Sequence, residues 1–328
     1  MNNQPEGLTK ATTPRAGKAI PQERYVAEED ETGLGAVDAV AVDGAPSSLW
    51  SEAWHNLRKR PLFWVSFVII VLALAVAAFP QLFTSVDPRY CQLSDSLSPA
   101  RSGHPFGFDR QGCDIYSRAI YGARASVTVG VFATAFVVIL GAIMGALAGF
   151  YGGWIDTLLS RLVDIFFAIP IVLAAIVVMQ VFKQYRNIWT VVLVLSLFGW
   201  PQIARITRGA VMGVKNEEFV TAAHALGSSK MSILAKHIMP NAAAPIIVTA
   251  TVSLGTFIVA EATLSFLGIG LPPQVVSWGQ DISQGRASLR TAPNVLFWPS
   301  GFLAATVLGF IMMGDAVRDA LDPKARKR

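Results

Sequence analysis

Residues 216–241 read NEEFVTAAHALGSSKMSILAKHIMPN, and this stretch is not written like a passive linker. Residues 217–226 have helical spacing, which places Phe219, Ala222, Ala223 and Leu226 on one face. Gly227 stands where a left-handed cap would end that helix. Ser228 and Ser229 are capping residues for a second helix over about residues 230–238, and Pro240 then predicts a break. Helix, sharp turn, helix and break together make a compact knob. Its small alanines let the backbone of a partner come close, so the knob is suited to docking.

Outward from this stretch on both sides the chain is strongly apolar. It is 53% hydrophobic and only 15% charged, against about 25% charged in a typical soluble domain. The apolar residues lie in blocks, and a helix needs about 20 of them to cross about 30 Å of hydrocarbon. Six blocks meet that length: 62–83, 126–150, 158–182, 189–206, 243–267 and 295–313. They show no period-two alternation, so they read as helices and not as barrel strands. An ordinary soluble enzyme and a fibrous or disordered chain are excluded. The predicted fold is an all-α polytopic membrane protein with six transmembrane helices.

Orientation follows from the basic residues. Arg58, Lys59 and Arg60 abut the first span, and Lys324, Arg326, Lys327 and Arg328 follow the last. The net charge of +5 belongs to this membrane part, and the bias predicts both termini in the cytoplasm. The 207–241 loop then also faces the cytoplasm, and 84–125 is an extracytoplasmic loop. Residues 1–47 are rich in Ala, Gly, Pro and acid and read as a disordered cytoplasmic tail. Residues 48–61 place Trp50, Trp54 and Leu57 on one face, as in an interfacial amphipathic helix; a plain extension of the first span is the alternative. The remainder divides into a five-helix core over 126–316 and a basic C-terminus over 317–328. The first span is the expected insertion signal, since the polar start does not read as a cleavable leader.

The run Thr221-Ala222-Ala223-x3-Gly227, with Pro240 beyond it, resembles the EAA loop of ABC-importer permeases, the inner-membrane subunits that dock onto ATPases. Thr221 replaces the usual Glu, His237 a usual Ile and Met239 a usual Leu; Glu217 and Glu218, one turn earlier, are candidates for the missing carboxylate. HPFGFDRQGCDIYSRAIYGARAS over 104–126, LSFLGIGLPPQVVSWGQDISQGR over 264–286 and the ending GDAVRDALDP over 314–323 are similar to the C-type permeases of dipeptide and oligopeptide importers. The likeness covers roughly residues 50–323. It implies a type I importer permease fold and import of di- or oligopeptides, with nickel or glutathione as alternative cargo. It also implies a second, B-type permease, two ATPase subunits or one fused ATPase holding ATP and Mg, and an extracytoplasmic peptide-binding protein. Glu217, Glu218, Phe219, Thr221, Ala222, Ala223, Leu226, Gly227 and Pro240 become the expected ATPase-coupling residues.

Nothing on this chain predicts catalysis. It has no GxxxxGK[ST] phosphate loop, and Gly227-Ser228-Ser229-Lys230 lacks that spacing. No CxxC or HExxH motif suggests a metal, and nucleic acid is not an expected partner; the lipid bilayer is. Inside the spans, Glu261 is either a pathway charge able to attract a peptide amine or, the favoured reading, a structural acceptor at a helix contact. Arg161 and Asp164 are spaced to pair near the inner face, chiefly for structure. Pro170 and Pro201 are candidate helix breaks, and Gly141, Gly145 and Gly149 form a small-residue ridge suited to helix packing. Cys91 and Cys113 share the outer loop, and Cys113 stands where the family usually has Arg. A disulfide between them is expected, with two free thiols as the alternative. An intramembrane enzyme would need clustered ionisable groups, and an ion-coupled secondary transporter would show inverted repeats; neither is evident.

Overall fold

The computed structural model describes residues 49–321. The 1–47 tail and the basic residues after Leu321 lie outside the described residues. A short helix α1 (Leu49–Leu57) is separated by a turn from α2 (Pro61–Ala78). The long helices are α3 (Ile115–Tyr151), α6 (Ile188–Val214), α9 (Met239–Phe266) and α11 (Asn294–Leu321). Between them lie α4 (Gly153–Phe167), α5 (Ile171–Val181), α7 (Glu218–Ala225), α8 (Lys230–Ile233) and α10 (Trp278–Gly285). No strand forms among the described residues; three isolated bridges, Cys91 with Cys113 among them, are the only β pairing there.

Helix α3 is the central post, packed against α6, α9 and α2. Its contact with α6 is made possible by the glycine ridge. A Cβ on Gly141 would lie 2.8 Å from the Trp200 carbonyl, one on Gly145 2.3 Å from that of Ala204, and one on Gly149 2.8 Å from that of Arg208. The two backbones therefore touch where side chains would hold them apart. Val129, Val137, Val191, Leu195 and Ile203 fill the seam and are all inaccessible to solvent. A second core, of Ile120, Val127, Ile258, Trp278 and Phe310, joins α3 to α9, α10 and α11, and the Trp278 Nε1 donates to the Ala119 carbonyl at 2.8 Å.

Among the described residues five helices are long and apolar enough to cross a membrane, and the bent pair α4 and α5 makes a sixth where it counts as one span. The 158–182 block is broken where Pro170 was expected to break it, with a 77° bend between α4 and α5. Pro170 is the cause, because it lacks an N–H and its ring collides with a continuing helical turn. Pro201, by contrast, does not interrupt α6. It is buried, and the packing of Trp200 and Ile203 against α3 keeps the helix continuous through a lost backbone bond. The second span begins at Ile115, well before the apolar block that announced it. Asp114 caps it by accepting from the Ser117 N–H at 2.9 Å.

The end of the bundle away from α7 is closed by residues 84–114. Cys91 and Cys113 are joined in a disulfide. Phe106 stacks on Trp298 of α11 with ring centroids 3.7 Å apart, and the Asn294 side chain donates to the Phe106 carbonyl at 2.9 Å. This end is called the disulfide end below.

Candidate functional site: the α7–α8 knob

At the opposite end α6 stops at Val214 and the chain turns into α7. Val220 and Ala223, 3% and 7% exposed, point inward, onto a core of Ala146 from α3, Val211 from α6, and Ile233, Ile238 and Ala242. Phe219, Ala222 and Leu226 point away from it, and Leu226 is 86% exposed. The single face expected for Phe219, Ala222, Ala223 and Leu226 is therefore divided. Ala223 sits on its edge nearest Val220, and burial of those two turns the other three outward.

The turn after α7 is built as expected from Gly227, whose φ is +78°. The Gly227 N–H donates to the His224 carbonyl at 3.0 Å and the Ser228 N–H to that of Ala223 at 3.1 Å, the paired bonds of a Schellman cap. A Cβ on Gly227 would meet nothing within 4 Å, so the glycine is required by the backbone angle and not by crowding. The Ser229 hydroxyl then accepts from the Ser232 N–H at 3.3 Å and starts α8. Glu217 precedes α7 without capping it through its side chain, and Glu217, Glu218 and Thr221 all lie on the exposed surface.

Pro240 does not mark a break. After α8 the chain passes through one π-helical segment, Leu234–Ile238, directly into α9, so 230–266 is one continuous rod. The wider π turn just before it accommodates the ring of Pro240 without interrupting the rod. The Asn241 side chain donates to the His237 carbonyl at 2.6 Å across the same turn. The knob is consequently fixed to the bundle at both ends, through Val211 and Val214 to α6 and through the rod to α9.

The other charged residues singled out from sequence fall elsewhere. Arg161 reaches Asp164 at only 3.8 Å and is 78% exposed, while Asp164 takes a closer partner, Arg205 of α6, at 2.8 Å. Arg208, one turn further, grips Asp156 of α4 through two bonds of 2.5 and 2.7 Å. These α4 to α6 pairs flank a cavity of ≈ 430 Å³ lined by α3, α4 and α6. Sequence reading missed them because Asp156 and Arg208 are far apart in the chain, and only the bend at Pro170 lays α4 across α6. Glu261 is fully buried within the chain; the Ser265 hydroxyl donates to its Oε1 at 2.7 Å, one helical turn along α9. No group of three or more His, Cys, Asp or Glu side chains able to hold a metal occurs among the described residues.

This helical bundle resembles known proteins in sequence and in fold. Residues 138–327 match the family model described as binding-protein-dependent transport system inner membrane component. The chain belongs to that family. Residues 48–99 match a second model, the N-terminal transmembrane domain of oligopeptide transport permease C. Among relatives, the oligopeptide transport system permease protein OppC of Bacillus subtilis is 39% identical over 91% of this chain and 97% of its own. The dipeptide transport system permease protein DppC of Alkalihalophilus pseudofirmus is 38% identical over 85% and 91%. The glutathione transport system permease protein GsiD of Escherichia coli is 37% identical over 84% and 91%. Among solved structures, one of the MetNI methionine ABC transporter in an inward-facing conformation aligns with a TM-score of 0.53 at 20% identity, covering 62% of this chain and 96% of that one. That likeness is one of fold. The chain is thus a multi-pass inner-membrane permease subunit, and the secondary-transporter alternative falls away.

Proposed function

We propose that this chain is the C-type permease of an ATP-driven importer of di- or oligopeptides. It forms the path with a second, B-type permease and docks two ATPase subunits, or one fused ATPase, through residues 217–240. ATP and Mg bind the ATPases and not this chain, and an extracytoplasmic binding protein delivers the peptide. Both termini and the knob face the cytoplasm. The observation that carries the reading is the knob itself, in which Phe219 and Leu226 are exposed on a short helix whose other face is locked to α3, α6 and α9. An apolar pair on so rigid a mount suits a groove in another protein, and movement of that protein passes into two membrane helices at once. Oligopeptide and dipeptide relatives favour peptide cargo; the GsiD relative makes glutathione the second reading.

ATP supplies the bias by binding two states of the ATPases unequally, and the knob transmits it. Gly227→Val tests this link. A β-branched residue at φ +78° is strained by roughly 1–2 kcal/mol, all of it in the turn that aims Leu226. In proteoliposomes holding the full complex, ATP hydrolysis is expected to continue while uptake of labelled dipeptide falls to background. Coupled uptake at the normal rate in that variant overturns the proposed role of the knob.

A further inference from the structure

At the disulfide end, three buried charged groups meet outside the seam that holds the bundle together. Arg118 of α3 is in contact with Asp281 of α10, its Nε 3.0 Å from Oδ1. The same Nε lies 3.7 Å from Asp109 Oδ2, in the loop before α3. The side chains of Asp109 and Asp281 are 9% and 8% exposed. One guanidinium thus faces two carboxylates. It does not satisfy both, because Asp281 Oδ2 is buried and has no hydrogen-bond partner. Burial pushes the Asp281 carboxyl up, against the pull of Arg118, so a second cation beside it would be favourable. The Asp109 Oδ1 is occupied by the N–H groups of Gln111 and Cys113 at 2.8 and 2.9 Å, which fixes where that acid points.

These residues line a cavity of ≈ 240 Å³, with Ile115, Val295 and Pro299 as its apolar wall. At its rim stands Arg110, which is exposed. A floor with a surplus carboxylate and a rim with a guanidinium are complementary to a ligand that is positive at one end and negative at the other. The volume is below the roughly 300–1,000 Å³ of drug-sized sites, which suits an amino acid or a very short peptide. The walls are rigid, since the disulfide, the Asp109 turn and the Phe106–Trp298 stack hold the loop against α11.

We infer that this cavity is a binding site for a small zwitterion of the amino acid or dipeptide class, with the ligand ammonium on Asp281 and its carboxylate on Arg110. The inference deepens the peptide-import reading, under which the cavity lies on the side from which cargo arrives. A low-affinity stop there would hold cargo at the entrance of the bundle without needing the spans to carry charge.

The test is saturation-transfer NMR on the full chain in nanodiscs, with dialanine as probe beside N-acetyl-dialanine and dialanine amide. Saturable dialanine binding is expected, weakened at least about tenfold by N-acetylation or by Asp281→Asn and to a smaller extent by amidation or by Arg110→Gln, as for loss of one charge-assisted contact. Tryptophan-fluorescence melting checks that Asp281→Asn remains folded; Arg110 is exposed, and its replacement disturbs no buried contact, so that variant reads the site even if the other fails to fold. Equal binding of dialanine and its blocked forms, unchanged binding in Arg110→Gln, or no saturable binding to the wild-type chain overturns the proposal. Uptake by the assembled transporter is a separate readout. Dialanine binding here without ATP-driven peptide uptake by the complex sinks the import reading and leaves the site standing, and uptake without binding does the reverse.

Discussion

The α7–α8 knob and the 84–114 loop close opposite ends of the same bundle, and they are held in opposite ways. The knob is helical and secured by apolar packing, with Val220, Ala223, Ile233 and Ile238 pressed onto the ends of α3, α6 and α9. The loop has almost no regular structure; a disulfide, a stacked aromatic pair and the ion pair of its buried Asp109 with Arg118 secure it. The contrast has a physical basis. The loop pairs much of its backbone within itself, as in Leu97 N–H to the Asp109 carbonyl and Phe108 N–H to that of Ser98, but a segment without long helices buries little apolar surface, so it needs bonds that hold without a large core. A pair of short helices satisfies its backbone internally and is free to turn one apolar face inward and leave another exposed. The knob is continuous with the rod 230–266, whereas the loop is tied across the bundle to α11. That division suits an end that transmits force and an end that receives a ligand.

The comparison can be broken at its strongest point by Arg118→Ala. Removing the guanidinium leaves Asp281 and Asp109 buried without a cation, and about 3–5 kcal/mol of stability is expected to go, read as a large fall in melting temperature in detergent. Next comes Cys91→Ser with Cys113→Ser. Opening a bridge between residues 22 apart is expected to cost about 2–4 kcal/mol, and faster proteolysis confined to 84–114 is the matching local measurement. If both variants melt like the wild type, the loop is not held by its polar and covalent bonds. The smallest change in stability is expected at the knob. Leu226→Ala touches a side chain 86% exposed, so melting should move by less than about 0.5 kcal/mol equivalent, while binding of the ATPase in a pull-down from reconstituted membranes is lost. Retained binding would show that Leu226 is not part of the docking face.

Much of this was legible in the chain. Apolar blocks, the basic residues beside the first span, and the Ala-Ala-x3-Gly run each have a local cause, and each maps onto a local feature: a span, a turn, a cap. The Schellman cap at Gly227 is readable because only its own neighbours make it. Pro170 was readable as a break, but the fate of the other prolines was not. Pro170 breaks a span, Pro201 is carried through one and Pro240 is absorbed beside a π segment, since the cost of a missing N–H depends on what packs around it. Asp164 pairs with Arg161 as its i, i+3 spacing suggested, but a closer partner was hidden for a similar reason: α6 brings Arg205 to it.

The sequence by itself determined the membrane class, the number of apolar blocks, the position of the docking loop and the likeness to importer permeases, because hydrophobicity, charge bias and turn chemistry are properties of short stretches. Only the tertiary structure decided which face of α7 stays exposed, that the knob and α9 form one rod, and that Asp109, Arg118 and Asp281 meet around a cavity. Those outcomes depend on residues far apart in the chain, which become neighbours once glycines let α3 and α6 touch and the bundle fixes what lies beside what.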